Sequence, residues 1–69
     1  RLFIRDIEVF RKFVRDSFQF KRKNLRNNLK TYDLDKVENI LKRHDFDLSC
    51  RAEKLSLDVF VDIANELCE

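Results

Sequence analysis

Thirteen consecutive residues concentrate the chemistry of this chain: Phe18-Gln19-Phe20-Lys21-Arg22-Lys23-Asn24-Leu25-Arg26-Asn27-Asn28-Leu29-Lys30. Five of them are Lys or Arg and none is acidic. Ammonium and guanidinium groups at this density neutralise phosphates, and amides beside them hydrogen-bond sugar, phosphate or base edges. If the stretch is helical, residues step by about 100°. Arg22, Arg26 and Lys30 then share one stripe with Lys23 and Asn27 beside it, while Leu25 and Leu29 alone anchor it to a core. Lys21, Arg22, Lys23, Arg26 and Lys30 are the candidate phosphate contacts, Asn27 and Asn28 the candidate amide contacts. Arg11, Lys12 and Arg15 form an outer ring. The structural alternative for Asn27-Asn28 is a helix end, because Asn tolerates the left-handed cap.

Little else in the chain offers chemistry. His44 is the single histidine, with no carboxylate or cysteine set at catalytic spacing, so a surface or capping role is expected. Cys50 and Cys68 stand eighteen apart without a second pair, which argues against zinc and for two free thiols. The absence of both glycine and proline excludes a phosphate-cradling loop and a dinucleotide- or S-adenosylmethionine-type glycine turn, each of which needs positive φ near the ligand. It also argues against dense hairpins and for an all-α fold. No apolar run approaches the ~18 residues of a membrane span, so a cytoplasmic protein is expected.

Charge is unevenly divided. Residues 1–30 hold ten Lys/Arg against three Asp/Glu, a net +7, whereas residues 31–69 hold five against ten, a net −5. Such a dipolar chain suggests one face for a polyanion and another for solvent or a basic neighbour, the alternative being a solvated surface of uneven charge. Sixty-nine residues make a single domain with a small core, and the opening at Arg1 rather than Met suggests a domain of a longer protein.

About four short helices should position these groups in a compact bundle. The first starts at the Asp6 cap and runs to about Phe18, with Ile7, Phe10, Val14 and Phe18 as its core stripe and Phe13 widening it. Phe20, at the junction before the basic run, is expected to pack inward; an exposed ring there could instead stack on a base. The second helix spans Lys21 to Lys30. The third starts at Asp33, uses Leu34, Val37, Ile40 and Leu41, and stops at Lys42-Arg43-His44, with Asp45 in a left-handed turn. A connector follows in which Phe46 and Leu48 plug inward and Arg51 and Glu53 form a local ion pair. The fourth begins at Ser56 and buries Leu57, Phe60, Val61, Ala64, Leu67 and Cys68.

Two blocks together resemble a known family. Phe18 through Leu29 resembles the signature F-x-Q-R-R-K-T-L-R-N-N-L. Arg51-Ala52-Glu53-Lys54-Leu55-Ser56-Leu57, followed by Phe60 and Ala64-Asn65, resembles R-A-E-x-L-S-x-x-x-F-x-x-L-A-N. Both mark the C-terminal helical domain of KsgA-type ribosomal RNA adenine dimethyltransferases, and the resemblance covers essentially the whole chain. The related antibiotic-resistance rRNA methyltransferases rank second. Phe20 stands where Gln is usual, Lys21 where Arg is usual and Asn24 where Thr is usual. Lys21 keeps the charge but loses the bidentate fork.

The resemblance implies a parent whose N-terminal Rossmann-like domain binds S-adenosylmethionine and methylates two adjacent adenines of small-subunit rRNA. This chain would carry no catalytic residue, cofactor or metal. It would hold and orient ribosomal RNA on the small ribosomal subunit, as a monomer docked to its own catalytic domain. Two alternatives of other classes are a helix-turn-helix-like DNA-binding module, with the second helix as reader, and a protein-interaction helical domain.

Overall fold

The computed structural model describes residues 2–68, and in them every regular element is helical. Helix α1 spans Ile7–Ser17, α2 Leu25–Asn28, α3 Leu34–Arg43 and α4 Leu57–Leu67, with one 3₁₀ turn at Ala52–Lys54. The chain closes to 29 × 23 × 20 Å.

Short polar side chains set the helix starts. The Asp6 carboxylate accepts from the N–H groups of Glu8 (2.9 Å) and Val9 (3.3 Å), Asn24 Oδ1 from Asn27 N–H (3.0 Å), and Asp33 Oδ1 from Lys36 N–H (3.2 Å). Ser56 occupies the cap of α4 but turns its hydroxyl to Asp58 instead of the helix backbone. Helix α3 ends as expected: His44 is its C-cap, and Asp45 adopts φ 65°, the left-handed conformation usually left to glycine.

Helix α4 packs on both α1 and α3. The core joins Phe13 of α1, Leu25 of α2 and Leu29 just after it, Val37, Ile40 and Leu41 of α3, Leu48 and Ala52 of the connector, and Val59, Phe60 and Ile63 of α4. Phe13 meets Tyr32 and Phe60 edge-on, with centroids 5.5 and 6.1 Å apart.

Four local expectations change. The second helix does not run from Lys21 to Lys30; residues 18–24 form a turn-rich loop and α2 is one turn of four residues. The α1 stripe is rotated, with Phe13 fully buried while Ile7 and Phe18 remain exposed. In α4 the buried set includes Val59 and Ile63, and Leu57 faces solvent. Arg51 and Glu53 make no ion pair within 4.0 Å among the described residues; the 3₁₀ turn's backbone bonds hold that segment instead.

Two side chains close the ends of the fold. The Asn65 amide of α4 donates to Phe3 O (2.7 Å) and accepts from Arg5 N–H (3.0 Å), strapping residues 3–5 to the helix. The His44 ring lies 2.9 Å from Asp62, joining the end of α3 to α4.

Candidate nucleic-acid interface

The basic stretch is a loop held from beneath. Lys23 N–H donates to Phe20 O (2.9 Å), closing a four-residue turn with Lys21 and Arg22 at its two corners. Asn28 fixes that turn to the body. Its Nδ2 donates to Ser17 O (2.9 Å) and Phe20 O (3.1 Å), and its Oδ1 accepts from Phe20 N–H (3.2 Å). Ser17, fully buried, donates its hydroxyl to Phe13 O (2.8 Å). On the far side, Leu25 N–H donates to Cys50 O (2.9 Å) and Arg26 N–H to Leu48 O (3.0 Å). The free donors at the start of α2 are thus occupied by the connector, and the loop before it cannot continue the helix without breaking those bonds.

This geometry sorts the sequence-derived residues. Lys21, Arg22, Lys23, Asn27 and Lys30 are exposed around the turn and α2, and Arg11 and Arg15 are exposed on α1. Among the described residues, no carboxylate lies within 4.0 Å of Lys21, Arg22, Lys23, Lys30, Arg11 or Arg15. Arg26 reaches Glu38 only at 4.0 Å, with its side chain 59% exposed, so its charge remains largely available. Asn28 leaves the exposed set, because the amide is buried and serves the loop backbone.

Lys12 is also engaged. Its Nζ lies 2.7 Å from Asp16 and over the Tyr32 ring at 5.2 Å, and the Tyr32 hydroxyl donates to the same Asp16 oxygen at 2.6 Å. Hydrogen bonds from Lys12 and then Tyr32 hold the Asp16 carboxyl below its ordinary range. Burial, and then the bond to Asp16, push the Tyr32 phenol upward. This triad braces α1 against the segment before α3.

A cleft of about 250 Å³ opens beside the turn, lined by Ser17, Phe18, Phe20, Lys21, Lys23, Ala52 and Glu53. It unites residues from both signature blocks, 51–54 as well as 18–23. Sequence reasoning missed the cleft, because only the fold brings Ala52 and Glu53 to the aromatic pair; the exposed potential of Phe20 was its one visible sign. Among the described residues, no group of three His, Cys, Asp or Glu is arranged to hold a metal, and no helix is long and apolar enough to cross a membrane.

Comparison with known proteins finds several named ribosomal RNA small subunit methyltransferase A. The protein of that name from Chlorobium phaeobacteroides (strain BS1) is 46% identical over 67 residues, which cover 96% of this chain and 23% of the relative. That from Mycoplasma mobile is 38% identical over 63 residues, 90% of this chain and 25% of the relative. That from Fusobacterium nucleatum is 40% identical over 58 residues, 81% and 22% respectively. The chain therefore spans about a quarter of the length of the curated relatives it matches, in their C-terminal part. No family model and no solved structure matches it.

Proposed function

Because the chain belongs to the ribosomal RNA small subunit methyltransferase A family, as a relative of its members' C-terminal part, we propose that it is an RNA-binding domain. It holds and orients small-subunit ribosomal RNA for the S-adenosylmethionine-dependent catalytic half of a longer adenine dimethyltransferase. Its partners in this proposal are the small ribosomal subunit and that catalytic half, and the protein is a cytoplasmic monomer.

The observation that carries the proposal is the turn at Phe20–Lys23, which presents three adjacent cations with no carboxylate within 4.0 Å among the described residues. Lys21, Arg22 and Lys23 meet phosphates, with Arg26, Lys30, Arg11 and Arg15 widening the field. Contacts of this kind release counterions and fix orientation without reading sequence. Asn27, exposed beside them, suits a 2′-hydroxyl in the shallow minor groove of A-form RNA. Lys12 contributes less, since Asp16 already offsets its charge.

The chain has no glycine to form a cofactor loop, so this reading leaves the methyl donor to the catalytic half. Cofactor chemistry belongs to the catalytic half, and this chain's part is to bind and position. A helix-turn-helix mode is disfavoured: α2 has four residues, too short to read a major groove, and its first backbone donors are engaged by Leu48 and Cys50.

Replacing Lys21, Arg22 and Lys23 together by Gln tests the proposal. Affinity for a structured small-subunit rRNA fragment should fall while the helical circular dichroism and melting temperature stay unchanged. The unmodified protein should prefer that RNA to duplex DNA of equal length at equal salt. Unchanged affinity in the triple variant, or equal binding of DNA, overturns it.

A further inference from the structure

Resting on the RNA-binding reading above, we infer that the cleft beside the basic turn accepts one unstacked nucleobase, held on Phe20 and Phe18 while Lys21 and Lys23 take the flanking phosphates. The two rings are large apolar surfaces left in water, Phe18 at 41% and Phe20 at 55% exposure. Single exposed apolar residues need no explanation, but these two line the same concave site.

Its dimensions suit a single planar ring system. The volume of about 250 Å³ falls below the roughly 300–1,000 Å³ of pockets for drug-sized ligands. One ring of the platform is fixed in advance. Phe18 is stacked on buried Phe60, centroids 5.8 Å apart and planes 29° from parallel, and the Phe20 backbone is clamped at both N–H and C=O by Asn28. The Phe20 side chain is what binding has left to order.

The charge around the cleft selects the occupant. Two ammonium groups on an apolar wall complement a base flanked by phosphodiesters, the arrangement by which stacking platforms and cationic grooves hold unpaired nucleotides. Glu53, on the same cleft, supplies an acceptor for the exocyclic amine of cytosine, adenine or guanine. The base is taken from a bulge or loop and serves to set register, not to react.

Two RNA hairpins provide the test, one with a single bulged cytidine and one with an abasic site at that position. The unmodified protein should bind the cytidine hairpin about fivefold to tenfold more tightly, the lower end of the ~1–3 kcal/mol that stacking contributes per base. Phe20→Leu should erase that difference and leave abasic binding, its salt slope and the melting temperature unchanged. Equal binding of both hairpins by the unmodified protein, or an equal loss on both in Phe20→Leu, overturns the inference while the RNA-binding reading stands. Failure to bind either hairpin in a salt-dependent way overturns both.

Discussion

Asn28→Ala is the most informative single substitution, because one amide holds the whole cationic turn. The side chain makes three hydrogen bonds, to Ser17 O at 2.9 Å, Phe20 O at 3.1 Å and Phe20 N–H at 3.2 Å. Each such bond contributes a net ~0.5–1.5 kcal/mol, and a carbonyl left buried without a partner costs ~1–3 kcal/mol. Ser17 is fully buried, so its carbonyl bears that penalty, whereas water replaces part of the loss at exposed Phe20. The expected destabilisation is about 2–4 kcal/mol. A chain of 69 residues has roughly 3–10 kcal/mol in total, so the unfolding midpoint should drop visibly. Urea titration followed by circular dichroism measures the change, and hydrogen exchange at the Phe20 amide reports the loop separately. Asn28→Asp adds a control: it keeps the acceptor for Phe20 N–H but faces a carboxylate toward two carbonyl oxygens. That variant should be weakest at neutral pH and regain stability as acid protonates the new group. A loss under about 0.5 kcal/mol for Asn28→Ala would refute the clamp.

Three further outcomes follow from the same geometry. Asp16 has a folded pKa depressed below the ordinary ~3.9, so its contribution is present above that value and lost as pH falls through the folded one. Asp16→Ala should flatten the stability difference between pH 5 and pH 2 relative to the unmodified protein, and an identical acid limb contradicts this. Tyr32, raised above ~10, contributes below its unfolded pKa and ceases to as pH climbs through the folded one. Tyr32→Phe should therefore lose part of its deficit against the unmodified protein in alkaline urea titrations above that range. Asp45→Gly should raise stability by about 0.5–1 kcal/mol, since φ 65° burdens any residue with a Cβ; a lower urea midpoint would count against it.

Much of the fold is legible in local signals. Asp6, Asp33 and Ser56 mark helix starts because a short oxygen-bearing side chain before an apolar period has one common use. Asp45 is legible for the opposite reason: in a chain without glycine some residue must take the left-handed exit from α3. The second helix is misread because nothing inside Lys21–Lys30 breaks a helix. What stops it comes from elsewhere, the carbonyls of Leu48 and Cys50 and an Asn28 side chain reaching back eleven residues to Ser17. The structure adds a cap inside that stretch, Asn24 ahead of Leu25, which the continuous positive charge masks. Helix α4 admits two overlapping stripes, and only the packing of α1 and α3 on it selects Val59 and Ile63 over Leu57. The identities of the basic residues were visible; their division into exposed cations, the Lys12 brace and the Asn28 clamp was not, since each depends on partners distant in sequence.

The salt dependence of RNA affinity tests the central claim most directly. Binding of a small-subunit rRNA fragment, measured across a range of monovalent salt, gives a slope proportional to the number of phosphates neutralised, roughly 0.7–0.9 per contact. With Lys21, Arg22 and Lys23 replaced by Gln, the slope should become shallower by about 2, alongside weaker binding. A slope that is the same in both proteins would mean that these three cations do not touch the RNA backbone.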